Sequence, residues 1–93
     1  MGADSSSELA RIFKALSADT RIRILEMLRE QPLCVNALAA RLNVTHSAVS
    51  QHLRILKGAG LVLSNKQGYW AHYRVNEDGL RQWAERVAQF LTS

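Results

Sequence analysis

The sequence has little of what membrane proteins and disulfide-bonded secreted proteins need. Its 93 residues include one cysteine and one proline, and no apolar run approaches the roughly 20 residues that span a bilayer. One cysteine cannot form a disulfide within the chain, and the N-terminus shows no apolar signal-peptide segment. We therefore expect a single small domain in the cytoplasm, with no membrane segment.

The residue patterns of enzyme active sites are also missing. The sequence has no nucleophile paired with a base, no glycine-rich phosphate loop and no cluster of residues at metal-ligand spacing. We expect neither catalysis nor a bound cofactor. The charge is more informative, because twelve Lys and Arg against eight Asp and Glu give a net charge of +4. That balance suits an anionic partner such as nucleic acid.

The segment from Leu38 to Leu61 predicts two short helices joined by a turn. Leu38 and Leu42 lie four residues apart on the first helix, and Asn43 readily adopts the positive φ angle that ends a helix. Thr45 offers a side-chain oxygen to the free N–H groups that begin the second helix. The apolar stripe of that second helix is Val49, Leu53 and Leu56. The pattern predicts a helix–turn–helix, in which the second helix enters the major groove of DNA.

The other face of this second helix is polar or cationic and carries no acid. Its candidate DNA contacts are Thr45, His46, Ser47, Ser50, Gln51, Arg54 and Lys57. Gln51 and Ser47 are predicted to read bases, since short polar groups near the helix start let the backbone approach and glutamine can bond adenine. Arg54 and Lys57 are predicted to contact phosphates, which strengthens binding without specifying sequence.

A β-hairpin is predicted after the second helix. Residues 61–64 and 69–75 have strand-like composition and flank a turn at 66–68. Such a hairpin, or wing, would place Lys66, Gln67 and Tyr69 beside the phosphate backbone or the minor groove. The predicted fold is therefore mainly α with a β-hairpin wing (α+β), a winged helix–turn–helix.

The predicted organisation is one domain with a polar tail. Residues 1–7 are expected to be disordered and residues 8–93 to form a single DNA-binding domain. Within it we place the helix–turn–helix at 35–59, the wing at 61–75 and a C-terminal helix at 77–92. Ser17 is predicted to cap a helix near 18–30, and Asn76 the C-terminal helix.

The first and last helices carry more apolar surface than one small domain is expected to bury. Their stripes are Leu9, Ile12, Phe13 and Leu16 in the first helix and Leu80, Trp83, Val87 and Phe90 in the last. An exposed apolar patch of that size is typical of an interface. We therefore predict a two-fold homodimer that packs through these helices.

Several segments spread along the chain carry a family resemblance. They are FKALSADTRIRIL at 13–25, Leu38-Ala39, SAVSQHL at 47–53, Leu56, AGLV at 59–62, and Gly68 with YRV at 73–75. Together they resemble the ArsR/SmtB family of bacterial repressors over roughly residues 9 to 91. The resemblance implies a homodimeric winged-helix repressor that binds a partly palindromic double-stranded DNA operator. Release by a ligand is the usual means of derepression in that family.

The family's metal-sensing motifs do not carry over to this chain. Its thiophilic-metal sensors have Cys-Val-Cys where this sequence has Cys34-Val35-Asn36, and no other cysteine exists to replace the missing thiol. Its zinc and nickel sensors use histidines of the C-terminal helix, whereas residues 76–93 contain none. His52 and His72 are predicted to be structural or solvated. We predict no metal site, and the effector stays unknown.

Two alternatives remain open. Cys34 begins a short helix, so a lowered pKa would make it a redox switch of the repressor, although a free cysteine is more often inert packing. A winged helix can also be an adaptor that binds protein instead of DNA. Acids on the exposed face of the second helix would favour the adaptor, and that face has none.

Overall fold

The computed structural model describes the backbone of residues 2–67 and 70–93, and the side chains of residues 6–66 and 71–93. Within these residues the chain forms five helices and three strands: α1 Gly2–Ala15, α2 Asp19–Glu30, β1 Leu33–Cys34, α3 Val35–Leu42, α4 His46–Gly58, β2 Val62–Gln67, β3 Trp70–Val75 and α5 Glu77–Thr92. The predicted class, mainly helical with a β-hairpin wing, is confirmed. No helix in the described part of the chain is long and apolar enough to cross a membrane.

The sheet contains one strand more than the sequence predicted. β3 lies in the centre, and β1 and β2 pair with it on either side in antiparallel register. β1 is only two residues long, with Leu33 opposite Tyr73 and Cys34 opposite His72. A strand this short has no periodicity to detect. Cys34 is therefore the last residue of a strand as well as the residue that precedes α3, and β1 ties the start of α3 to the wing.

Helix ends follow local side-chain chemistry in most places. Asn43 ends α3 with a φ of 57°, in the left-handed region, as predicted. The Oγ1 atom of Thr45 accepts a hydrogen bond from the Ala48 N–H at 3.0 Å, so it caps α4 as predicted. Asn76 does the same for α5, accepting from the Gly79 N–H at 3.2 Å.

The N-terminal boundaries differ from those expected. α1 begins at Gly2, ahead of the start expected at Glu8, and takes in most of the segment that we expected to be disordered. The Ser17 prediction is wrong: α2 follows Ala18 without a side-chain cap. The Ser17 hydroxyl instead donates to the Lys14 carbonyl at 2.8 Å, closing the end of α1.

The core lies where α2, α3 and α4 meet the sheet. Its buried apolar residues are Ile24, Leu25, Leu28, Leu33, Leu38, Leu42, Val49, Leu53, Leu56, Leu61 and Val62, joined by Ala15 from the end of α1. The buried stripe predicted for α4 is confirmed, and α2 likewise buries Ile24, Leu25 and Leu28. α5 is described throughout and has no fully buried side chain. The helix–turn–helix thus sits on a packed core, while α5 lies at the periphery.

Candidate nucleic-acid interface

The polar face of α4 is a consequence of how its apolar face is buried. Val49, Leu53 and Leu56 are at most 1% exposed and anchor the helix on the core. Six of the seven contacts predicted on this helix are consequently exposed: Thr45, His46, Ser47, Gln51, Arg54 and Lys57, with Ser50 half-buried beside them. α4, all of whose residues are described, carries no acidic side chain. The structure thus gathers these residues on one accessible face, while their contacts with DNA stay a prediction.

The wing is joined to the end of α4 by a side-chain bond. The Nζ atom of Lys57 donates to the Ser64 hydroxyl on β2 at 2.9 Å. Lys57 therefore positions the wing as well as adding charge. Lys66 is exposed near the end of β2, opposite Ala71 of β3. The side chain of Gln67 and all of Tyr69, both predicted as wing contacts, lie outside the described residues.

Arg21 is a residue whose role the sequence did not indicate. The structure shows it half-buried, with hydrogen bonds from its helix, α2, to α1 and α4. Nε donates to the Ala15 carbonyl at 2.7 Å, and Nη2 to the Lys14 carbonyl at 3.1 Å. Nη1 lies 3.1 Å from Nδ1 of His52 in α4, 31 positions along the chain. No local pattern relates residues so far apart, so the spacing gave no signal.

The surroundings of His52 affect its titration. Burial, and after it the positive charge of Arg21, lower the pKa of the imidazole below its ordinary value of 6.5. The unfolded chain therefore takes up this proton more readily than the folded protein. As a result, protein stability decreases as the pH falls through the ordinary value, and the loss is complete below the folded-state pKa.

This linkage predicts that the stabilities of the wild type and of His52→Asn depend differently on pH. In the variant, an amide that cannot titrate replaces the imidazole ring. Between about pH 7 and about pH 5, the wild type should lose more free energy of unfolding than the variant. Urea denaturation at a series of pH values measures the free energy of unfolding of both proteins, which differ only at residue 52. Parallel stability profiles would show that His52 does not hold a lowered pKa.

The predicted dimer residues divide into three groups by burial: buried, half-buried and exposed. Leu9 and Ile12 are 8% and 1% exposed, so they lie inside this chain and are corrected to core positions. This part of the α1 stripe faces inward because α1 packs on its own domain. The half-buried members are Leu16, Leu80, Trp83 and Val87.

Two of the predicted dimer residues are exposed aromatic rings. Phe13 and Phe90 are 43% and 51% exposed, and their ring centroids lie 6.3 Å apart in an edge-to-face arrangement. We call these two rings, together with Leu91, which follows Phe90 and is 69% exposed, the α1–α5 apolar patch.

The remaining candidate residues are those for redox and metal chemistry. Cys34 is a free, half-buried thiol opposite His72. Among the residues that the structure describes, no three His, Cys, Asp or Glu side chains lie close enough to hold a metal ion. The described chain thus offers an acid-free polar face on α4 and an apolar patch on α1 and α5.

Comparison with known proteins agrees with this geometry. Residues 18–64 match the model of the family described as bacterial regulatory protein, arsR family. The chain is 35% identical over 91 residues to a transcriptional repressor SmtB homolog of Synechocystis, covering 98% of this chain and 69% of that one. It spans about two thirds of the length of the curated relatives that it matches first.

Two solved structures share the fold. An ArsR-like transcriptional regulator from Rhodococcus superposes with a TM-score of 0.84 at 35% identity, covering 96% of this chain and 84% of that one. A homodimeric winged helix-turn-helix DNA-binding domain from Mycobacterium bovis gives 0.79 at 31% identity, covering 97% and 82%. The chain therefore belongs to the ArsR family, whose members are winged-helix DNA-binding transcriptional regulators and not enzymes.

Proposed function

We propose that this protein is a homodimeric transcriptional repressor that binds a partly palindromic DNA operator. The observation that carries the proposal is the exposed face of α4, which combines Ser47, Gln51 and Arg54, with the half-buried Ser50 beside them. All of α4 is described, and its lack of acids means that nothing on the helix repels a phosphate. The Thr45 cap fixes where the helix begins, and base contacts are made from that end of a recognition helix.

In the proposed complex each subunit places the start of α4 in a major groove. A two-fold axis through the α1–α5 apolar patch would relate the two recognition helices, and the two half-sites would lie about 34 Å apart, one turn of DNA. Arg54 and Lys66 would contact phosphates and Lys57 would hold the wing against the DNA flank. Repression would follow from occupying a promoter, and this role would be carried out in the cytoplasm.

The exposed side chain of Gln51 provides the sharpest test of base reading. Gln51→Ala should remove about 1–3 kcal/mol of discrimination at the base pairs that it contacts, since a bidentate contact to a base edge is lost. Its matched control is Arg54→Ala on the same face. That change should weaken all duplexes alike and reduce the slope of log affinity against log salt by about 1. A Gln51→Ala variant that weakened every duplex equally would contradict its role as a base reader.

The function itself is tested by a salt-dependent binding titration. A fluorescently labelled duplex, selected by the wild-type protein from a random-sequence library, is compared with a scrambled duplex of equal composition. Fluorescence anisotropy should show selective binding that weakens steeply with salt, because bound phosphates release counterions. Equally weak binding to both duplexes would refute a sequence-specific repressor. Sedimentation velocity on the same protein tests the dimer.

A further inference from the structure

The guanidinium of Arg21 joins the end of α1 to the middle of the recognition helix. The last carbonyl groups of a helix have no partner within it, and a cation there is favoured by the helix dipole. Arg21 meets both needs for α1 through its bonds to Lys14 and Ala15. Its third bond is to His52. Among the described residues, Arg21 has no ion-pair partner. The contacts that fix its guanidinium are these three hydrogen bonds, which join α2 to α1 and α4.

The rigidity of the guanidinium makes this a defined geometric link. Arginine presents its donors in one plane at fixed angles. Two of the donors are held by the adjacent carbonyls of α1, so the direction of the third, Nη1, follows from the position of α1. The His52 ring, 3.1 Å from Nη1, is thereby held relative to α1. His52 directly follows Gln51, and α1 carries Phe13 of the α1–α5 apolar patch.

The link also requires one protonation state of His52. Arginine has donors and no acceptor, so Nδ1 must offer its lone pair and the ring proton must sit on Nε2. A protonated ring would set an N–H group against an N–H group, with two positive charges side by side. The hydrogen bond therefore exists only while His52 is neutral.

Among the described residues, no acid contributes to the pKa of His52. α2 presents Arg21, and the end of α1 contributes Arg11 and Lys14, which line a cavity of about 280 Å³ with Arg21. The charged side chains of α3 and β2, Arg41 and Lys66, are exposed, as are the remaining charged side chains of α2. Of all these groups, Arg21 alone contributes to lowering the pKa of His52, after burial. Protonation thus works against the link, and no described acid offsets this effect in the pKa of His52.

We propose that Arg21 is a positioning residue for DNA binding, which holds the recognition helix through His52 at an angle set by α1. The proposal rests on the proposed function, because it concerns affinity for a specific duplex. It assigns to Arg21 no contact with DNA. In this proposal α1, which bears part of the apolar patch, fixes the orientation of α4 through Arg21 and His52.

The first test replaces Arg21 by lysine, which keeps the positive charge but cannot reach three acceptors at once. The probe is the selected duplex, with the scrambled duplex beside it. Arg21→Lys should bind the selected duplex about tenfold more weakly, the effect of losing one charge-assisted hydrogen bond. The salt slope should stay unchanged, since no phosphate contact is lost. The matched control is Arg23→Lys, an exposed neighbour on α2 that should bind as the wild type does.

The second test uses His52→Asn, whose amide oxygen accepts a bond near the place of Nδ1 and does not titrate. Between about pH 7.5 and about pH 5.5 the wild type should lose affinity several-fold relative to this variant, because only the wild-type acceptor becomes protonated. His46 and His72 are present in both proteins, so their contributions cancel in the ratio. This comparison does not depend on whether Arg21→Lys folds, which circular dichroism and sedimentation velocity establish separately.

The outcomes separate the proposal from the function on which it rests. Selective wild-type binding, with unchanged affinity in folded Arg21→Lys or with parallel pH profiles for wild type and His52→Asn, overturns the positioning role alone. A salt slope reduced by about 1 in Arg21→Lys would make Arg21 a phosphate contact and also overturn it. Wild-type binding without preference for the selected duplex overturns the proposed function, and the positioning role with it.

Discussion

Replacing Gly79 by alanine should destabilise the protein, although the change removes a glycine from a helix. Gly79 lies in the first turn of α5, and its N–H donates to the Asn76 side chain. The same asparagine donates from Nδ2 to the Gly60 carbonyl at 2.9 Å. A Cβ atom on residue 79 would collide with that Gly60 oxygen and lie 2.9 Å from Asn76 Nδ2. Alanine must therefore displace α5 or break the bonds of its cap.

We expect Gly79→Ala to lower the free energy of unfolding by about 1–3 kcal/mol, the usual effect of forcing atoms into filled space. Helix propensity by itself predicts a gain of about 1 kcal/mol from the same change. The two arguments thus differ in sign. The steric one should prevail because the colliding atom is a backbone oxygen, held by a hydrogen bond, which cannot rotate away as a side-chain end could.

Gly58→Ala is the matched control for this prediction. Gly58 is the last residue of α4, and nothing in the described part of the chain lies within 4 Å of a Cβ built there. Alanine should raise stability by about 0.5–1 kcal/mol through reduced freedom of the unfolded chain. Urea denaturation of both variants and the wild type, at one protein concentration, gives the comparison. A gain in stability for Gly79→Ala would show that α5 does not start against Gly60.

Features that depend on a few neighbouring residues could be predicted from the sequence. The Thr45 and Asn76 caps each bond an N–H three residues ahead, and Asn43 changes only its own backbone angles. The buried and polar faces of α4 follow from one helical period. The fold class and the acid-free face could therefore be predicted before any tertiary contact was known.

Features that depend on distant residues could not be predicted. β1 is two residues long and exists only because β3 offers it hydrogen-bond partners. The bond of Arg21 to His52 joins residues on different helices, and periodicity indicates only which face of a helix is apolar. Ile12 illustrates the same limit. Its apolar stripe indicated a buried face correctly, but the covering surface is this chain and not a partner.

The largest loss of stability is expected from Leu56→Ala. Leu56 is 0% exposed and lies on the face of α4 that is opposite Gln51, within the core cluster shared by α2, α3 and the sheet. Truncating a fully buried leucine removes its transfer free energy and leaves a cavity, which together amount to about 2–5 kcal/mol. Small domains have total stabilities of about 5–15 kcal/mol, so this variant should unfold at a much lower urea concentration.

Ile55→Ala separates burial from helix propensity in that experiment. Ile55 precedes Leu56 on the same helix and is 44% exposed, so the same change of residue class should lower stability by about 1 kcal/mol or less. Urea denaturation measures the wild type and both variants. If the free energy of unfolding falls with urea concentration at the same slope in all three, the differences in stability arise in the native state. Equal losses for the two variants would mean that α4 does not bury the face that contains Leu56. The exposed face, and with it the proposed set of DNA contacts, would then have to be assigned again.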